Sequence, residues 1–195
     1  MRVSIFVGDI TDVEVDAICT STNPRLSLVM GSGAAVRGRG GYEVLRACEE
    51  IAARGGGLSP GSAHGTTAGA LPHKLVIHCV ASDAGHHSSD SIIEACVRNA
   101  LACAEASGCL SVAMPVFASG HAHVKFRRAV EAMTRAVRES STAIDHVVFA
   151  ILDPEKANEA QEIVREVMGG EVPIVRSPVA SPDTPSWWSD DDRFG

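Results

Sequence analysis

Short runs rich in valine and isoleucine alternate with segments of helical period along most of this chain, and that alternation restricts the fold more than any other feature. Arg2–Val7 is β-rich, Val15–Thr20 is a second short apolar run, and Lys74–Val80, Leu110–Met114 and Asp145–Ile151 are compact runs bounded by turn residues, as buried strands are. Tyr42–Arg54, Ser91–Ser107, Val124–Glu139 and Glu155–Met168 repeat apolar residues at three- and four-residue spacing. Val124–Glu139, for example, sets Phe126, Val130, Met133 and Val137 on one stripe. Asp90 is the expected N-cap of the Ser91–Ser107 helix and Gly108 the residue that ends it. This order of elements predicts an α/β sandwich, with helices packed on a mixed, largely parallel sheet.

A length of 195 residues suits one domain with a short tail. Past residue 172 the character changes: Pro173, Pro178, Pro182 and Pro185 punctuate a polar stretch that ends in Trp187-Trp188-Ser189 and a run of aspartates. Prolines at that density continue neither a helix nor a central strand. The expected organisation is therefore a domain over 1–171 and an extended tail over 172–195, with Val172–Val175 pairing at a sheet edge and the Trp pair docking on the body. No apolar run of about 18 residues occurs, so no membrane span is expected. The first acid, Asp9, comes too early for a signal peptide. Six cysteines without a C-x-x-C pair read as buried free thiols of a cytoplasmic protein. The net charge of −7 argues against wrapping of DNA, which needs a basic face. It leaves a small anion open, because backbone amides and helix N-termini bind phosphate without net positive charge.

In open α/β sheets, ligands collect beyond the carboxyl ends of the strands. The residues expected there are Gly8-Asp9-Ile10-Thr11, Ser21-Thr22-Asn23 with the glycine loop Met30–Ala35, Pro115–His123, and Leu152-Asp153. Two small-residue loops that run into helices suit a diphosphate, since glycine and alanine let successive N–H groups approach one anion. Asp9 suits a neutral donor such as an adenine amine; it equally suits a cap formed through Thr11. Gly31-Ser32-Gly33 is not a dinucleotide fingerprint, because it lies a dozen residues beyond its strand and Val36 stands where the third glycine belongs. No phosphate-binding G-x-x-x-x-G-K-[ST] and no G-x-S-x-G nucleophile elbow occur. His121 and His123 form an H-x-H pair with no third ligand at a recognisable spacing, so no metal is expected. Phosphate donors and exposed loop histidines are the remaining readings of that pair. His78 reads as a packed core histidine, His86-His87 as a surface loop, and Arg37 and Arg39 as either phosphate partners or a solvated helix face.

The pattern as a whole resembles the macrodomains. Gly8-Asp9-Ile10-Thr11, Val15-Asp16-Ala17-Ile18, Asn23, Leu26 and Met30-Gly31-Ser32-Gly33 follow that family's opening in order and spacing. Gly61-Ser62-Ala63, Leu71-Pro72 before Val76-Ile77-His78, Pro115–Gly120, and Phe149 with Asp153 beyond it extend the match to about residue 170. The resemblance implies a three-layer α/β/α sandwich and an ADP-ribose pocket without a cofactor. In it Asp9 accepts from the adenine amine beside Gly8 and the Ile10 N–H, and Phe149 lies near the adenine. Asn23 reaches the distal ribose and is the one candidate catalytic residue. Gly31, Ser32, Gly33, Ala34 and Ala35 face Ala118, Ser119, Gly120, His121, Ala122 and His123 around the diphosphate. The implied partner is ADP-ribose, free or as the end group of a modified protein.

Two departures from the family bear on activity. Thr20-Ser21-Thr22-Asn23 keeps only the second asparagine of the family's Asn-Ala-Ala-Asn. The loop Gly33–Gly41 places small apolar residues where members that hydrolyse ADP-ribosyl bonds carry an aspartate, so no general base is evident there. Three readings follow: an ADP-ribose binder, a hydrolase or O-acetyl-ADP-ribose deacetylase working by positioned-water attack, and a degenerate macrodomain used as an interaction module through its tail.

Overall fold

The computed structural model describes residues 1–54, 58–120, 122 and 124–177. His121, His123 and the Trp187-Trp188 segment, for which roles were expected, lie outside the described residues. The strands are β1 (Arg2–Val7), β2 (Ala17–Thr22), β3 (Ala63–Thr66), β4 (Leu75–Val80), β5 (Ser111–Pro115), β6 (His146–Ile151) and β7 (Ile174–Arg176). The helices are α1 (Gly31–Gly40), α2 (Tyr42–Ala53), α3 (Asp90–Ala106), α4 (Phe126–Glu139) and α5 (Pro154–Met168), with a 3-10 turn at Ile10–Asp12. The sheet order is β3-β4-β2-β5-β6-β1-β7. Every adjacent pair is parallel except β3 with β4, so the sheet is mixed and largely parallel, as expected.

Two apolar layers make the sandwich. On one face of the sheet Ile5, Ile77, Met114 and Phe149 pack against Ile93 and Val97 of α3, Val130 and Met133 of α4, and Ile163 of α5. On the other face Phe6, Ile18, Val76 and Val148 pack against Val36 of α1 and Val44 and Cys48 of α2. The alternation along β4 divides its residues accordingly, with Ile77 and Cys79 toward α3 and Val76 and Val80 toward α2. His78 shares the α2 side and is the polar member of that layer. It is fully buried, with Nδ1 at 3.0 Å from the Thr20 hydroxyl and Nε2 at 2.8 Å from that of Thr66, and Cys48 Sγ at 3.4 Å. Burial, aided by nearby His64, lowers its pKa to about 4.

At the amino ends of the strands Asp16 joins three elements. Its carboxylate accepts from the N–H groups of Leu110 (2.7 Å) and Ser111 (3.2 Å) and pairs with Lys74 (2.9 Å). Those amides and the ammonium hold its pKa below the usual carboxylate range. The starts of β2, β4 and β5 are thereby tied together.

Several expectations shift in detail. Ser89 caps α3, its hydroxyl accepting from the Ile92 N–H at 3.3 Å. Asp90 lies one residue inside, where Arg128 (2.7 Å) and Arg135 (3.5 Å) of α4 pair with it. The segment Met30–Ala35, read as a glycine loop, is the start of a helix. The sheet also continues into the proline-rich stretch: Val172 is buried in the core, Ile5 donates to the Pro173 carbonyl at 2.9 Å, and β7 pairs with β1. Gly8 makes this edge possible. Its φ is +150°, and a Cβ there would stand 2.8 Å from the Phe6 ring and 2.9 Å from Ser177 Cβ.

Candidate functional site

Beyond the carboxyl ends of β2, β4 and β5 lies a cleft of about 190 Å³. Of the residues expected at a ligand, it brings together Asn23, Gly31, Ser32, Ala118, Gly120 and Ala122. Each arrives by a simple route: Asn23 follows β2, Gly31 and Ser32 open α1, and Ala118, Gly120 and Ala122 follow β5.

The start of α1 sets the character of the cleft. Its N-cap position is Met30, which supplies no side-chain acceptor, and its first turn holds no acid. The first intrahelical bond runs from the Ala34 N–H to the Met30 carbonyl (3.2 Å), so the amides of Gly31, Ser32 and Gly33 precede the helical ladder. By contrast α3 is capped by Ser89 and α5 by Asp153, whose carboxylate accepts from the N–H groups of Glu155 (2.8 Å) and Lys156 (3.2 Å). An uncapped ten-residue helix that opens onto a cleft offers both directed donors and the positive end of its dipole to an anion.

Ser21, at the end of β2, fastens the two sides of the cleft. Its N–H donates to Ser32 Oγ (3.2 Å), and its own hydroxyl accepts from the Ala118 N–H (3.5 Å). Ala118 adopts φ +59°, a left-handed conformation that costs a residue with a Cβ. The turn is braced by the Ser119 hydroxyl on the Val116 carbonyl (3.0 Å) and the Val124 N–H on the Ala118 carbonyl (3.2 Å). Asn23 uses its side-chain oxygen to accept from the Arg25 N–H at 3.0 Å. That bond assigns the amide orientation and leaves the NH₂ group, a donor, for a ligand.

The remaining expected residues lie elsewhere. Asp9 stands past the end of β1, three strand spacings from β2, about 14 Å along the sheet. One of its oxygens caps the 3-10 turn, accepting from the Thr11 N–H (2.9 Å) and hydroxyl (2.6 Å). Arg39 at the far end of α1 bonds both Thr11 and Asp12, so Asp9, Thr11 and α1 form one chain of contacts and Arg39 is turned away from the cleft. Ile10 is buried against the α1–α2 layer. Gly33, Ala34 and Ala35 lie deeper in α1 and do not line the cleft. Phe149 is wholly buried among the residues facing α3, α4 and α5, so its ring offers no face to a base in this conformation.

Sequence reasoning passed over Ser27, Val29 and Ala81, which also line the cleft; it placed Ser21 at the strand end and Ser82 and His86 in a loop bordering the site, without giving any of the three a contact. His86 is the one lining residue with an ionisable side chain among the described residues. No group of three or more His, Cys, Asp or Glu side chains is arranged to hold a metal among the described residues.

A three-layer sandwich with a cleft at the carboxyl ends of its parallel strands is an architecture whose ligands collect at that edge. The Macro domain family model matches residues 19–133, and the chain belongs to the macrodomain family. It is 31% identical over 170 residues to a protein of Citrobacter rodentium named O-acetyl-ADP-ribose deacetylase, covering 85% of this chain and 96% of that one. Among solved structures, an Oceanobacillus iheyensis macrodomain mutant with ADPR superimposes with a TM-score of 0.76 at 22% identity, over 85% of this chain and 93% of that one. The Trypanosoma brucei macrodomain in complex with ADP-ribose gives 0.73 at 22% identity, over 84% and 69%. No helix among the described residues is long and apolar enough to cross a membrane.

Proposed function

We propose that this protein binds ADP-ribose, free or as the end group of a modified protein, laid along the carboxyl edge of the sheet from β1 to β2. The observation that carries the reading is the uncapped start of α1 facing the Ala118–Gly120 turn across one cleft. The diphosphate sits there on the amides of Gly31 and Ser32. The distal ribose lies beside the Asn23 NH₂ group. The adenine lies toward β1, where the second oxygen of Asp9 accepts from its amine. The separation of Asp9 from the cleft supports a ligand with a base at one end and a sugar at the other, since a mononucleotide cannot occupy both places. Six free cysteines, with burial pushing Cys48 up to about 11, support a reducing, cytoplasmic setting.

Replacing Asp9 with Ala removes a charged hydrogen bond worth about 1.5–3 kcal/mol, so ADP-ribose binds roughly 10- to 150-fold more weakly. Calorimetric titration of wild type and variant measures this, and equal affinities remove the adenine assignment.

The second reading is hydrolysis of an acyl ester of ADP-ribose. It is favoured by the 31% identity to proteins of Citrobacter rodentium and an Enterobacter strain named O-acetyl-ADP-ribose deacetylase. The cleft contains no carboxylate among its described lining residues, so the proton of an attacking water must go elsewhere.

A further inference from the structure

We infer that a second cleft, at the amino ends of β1 and β6 and so at the opposite end of the sheet from Asn23, holds this chain's own acidic C-terminal segment, residues 187–192. The cleft measures about 760 Å³ and is bounded by residues 2–4 of β1, His146, Arg165 and Met168 of α5, and the connection 169–173. It exists because β7 starts late. β7 pairs with β1 only from Ile5 onward. Pro173, whose carbonyl accepts from the Ile5 N–H at 2.9 Å, has no N–H with which to carry the ladder on to Val3. The outer edge of β1 at residues 2–4 therefore pairs with no strand among the described residues. The floor of the cleft is polar, with the buried Ser4 hydroxyl 2.8 Å from His146 Nε2. Burial and the charge of Arg2 hold the His146 pKa below its usual value, which places that guanidinium near the imidazole. Met1, Met168 and Val172 supply an apolar wall.

Arg2 and Arg165 have no carboxylate partner among the described residues, whereas Arg127, Arg128 and Arg135 of α4 each hold one or more. Glu171 is the only acid among the described lining residues, so two guanidiniums against one carboxylate make this cleft positive on a chain of net charge −7. The segment 187–192 complements it in both respects. Trp187-Trp188 brings apolar rings, which also stack on guanidinium planes, and Asp190-Asp191-Asp192 brings the opposite charge. The reach suffices. The Ser177 N–H donates to the Val7 carbonyl at 3.0 Å, so the chain leaves at the carboxyl end of β1. β1 has six residues, and the way back along it is about 20 Å at about 3.3 Å per residue. Residues 178–186, with Pro178, Pro182 and Pro185, span about 28 Å at about 3.1 Å per residue. β7 is the last strand of the sheet, and its outer side offers the route. The covalent link holds the segment at a local concentration on the order of millimolar, which exposed ion pairs of modest strength require.

Trp187 and Trp188 are the only tryptophans of the chain, so tryptophan emission reports on this segment alone. The test compares the full-length wild type with Arg2→Glu/Arg165→Glu, two exposed positions, with thermal melting as the check on folding. Wild-type emission is expected to lie to the blue of the urea-unfolded chain and to resist quenching by acrylamide. In the double variant it moves to the red and becomes as quenchable as in urea. Asp190→Lys/Asp191→Lys/Asp192→Lys alone gives the same loss without touching the domain, and combining it with the double variant restores the protection. ADP-ribose leaves the emission unchanged, because its cleft lies at the other end of the sheet. The inference is overturned if wild-type emission matches that of the unfolded chain, or if either variant keeps wild-type protection. It is equally overturned if ADP-ribose exposes the tryptophans, which would seat the segment in the other cleft, or if protection falls on dilution, which would seat it on a second copy.

Discussion

Substituting Gly31 with Asp is expected to weaken ADP-ribose binding at least about 100-fold, roughly 2.8 kcal/mol, while leaving the fold nearly as stable as before. The two effects separate because of where the residue sits. A Cβ at Gly31 meets no other heavy atom within 4 Å, so the new side chain has room. The backbone is left-handed there, at φ +54°, a conformation in which Asp is among the better tolerated residues. A carboxylate at the start of a helix contributes about 0.3–1 kcal/mol through the dipole and offsets part of the conformational cost. The same carboxylate takes the place of the diphosphate and repels it. Thermal melting and calorimetry on one preparation measure both quantities. Undiminished affinity would show that the α1 amides are not the anion site.

The second large effect is on stability. His78→Gln breaks a buried network in which one imidazole serves the hydroxyls of Thr20 and Thr66, and should cost about 1–3 kcal/mol at pH 7. The loss depends on pH in a direction set by the lowered pKa. Above about 6.5 the imidazole is neutral in both folded and unfolded chains, and its contribution is complete. As pH falls from 6.5 toward 4, the unfolded chain takes up the proton and the folded one does not, so wild type loses stability across that window. The variant has no such group. The gap between the two proteins should therefore narrow by about 2 kcal/mol between pH 7 and pH 5 in urea unfolding. A gap that stays constant with pH would mean that His78 titrates as freely in the fold as outside it.

The parts of the fold that were legible are those where burial repeats with a period. β1 is bounded as its residues suggest, and β4, β5 and β6 differ from expectation by a residue at one or both ends, because Val and Ile runs between turn residues have few other homes. Two elements were not legible, for different reasons. β3 is Ala63-His64-Gly65-Thr66, with no apolar alternation to announce it; it exists because β4 offers an open edge and because Gly65 lets the chain approach, a Cβ there standing 3.1 Å from Cys103 Sγ. α1 carries Gly31, Gly33, Gly38 and Gly40 in ten positions, a composition that disfavours helix, and reads as a loop. Packing overrides that preference. Gly33 lies against the Leu28 backbone, where a Cβ would be 3.1 Å from its Cα, and Gly40 crosses the 68–70 segment so closely that Ala70 donates to its carbonyl at 3.0 Å.

The site divides in the same way. Strand-end positions such as Asn23 and the Ala118–Gly120 turn followed from topology alone. Phe149 was placed near the adenine by family pattern, whereas its position between Ile5 and Met114 in the sheet commits the ring to the core. His86 was read as part of a surface loop, and its place at the cleft comes from the neighbouring strand end, which is not a periodic signal.

The most direct test of the account is a crystal structure of this protein with ADP-ribose. Diphosphate oxygens are expected within about 3.2 Å of the Gly31 and Ser32 amide nitrogens, with the base toward Asp9 and the distal ribose beside Asn23. A ligand bound with its diphosphate away from the start of α1 would contradict it.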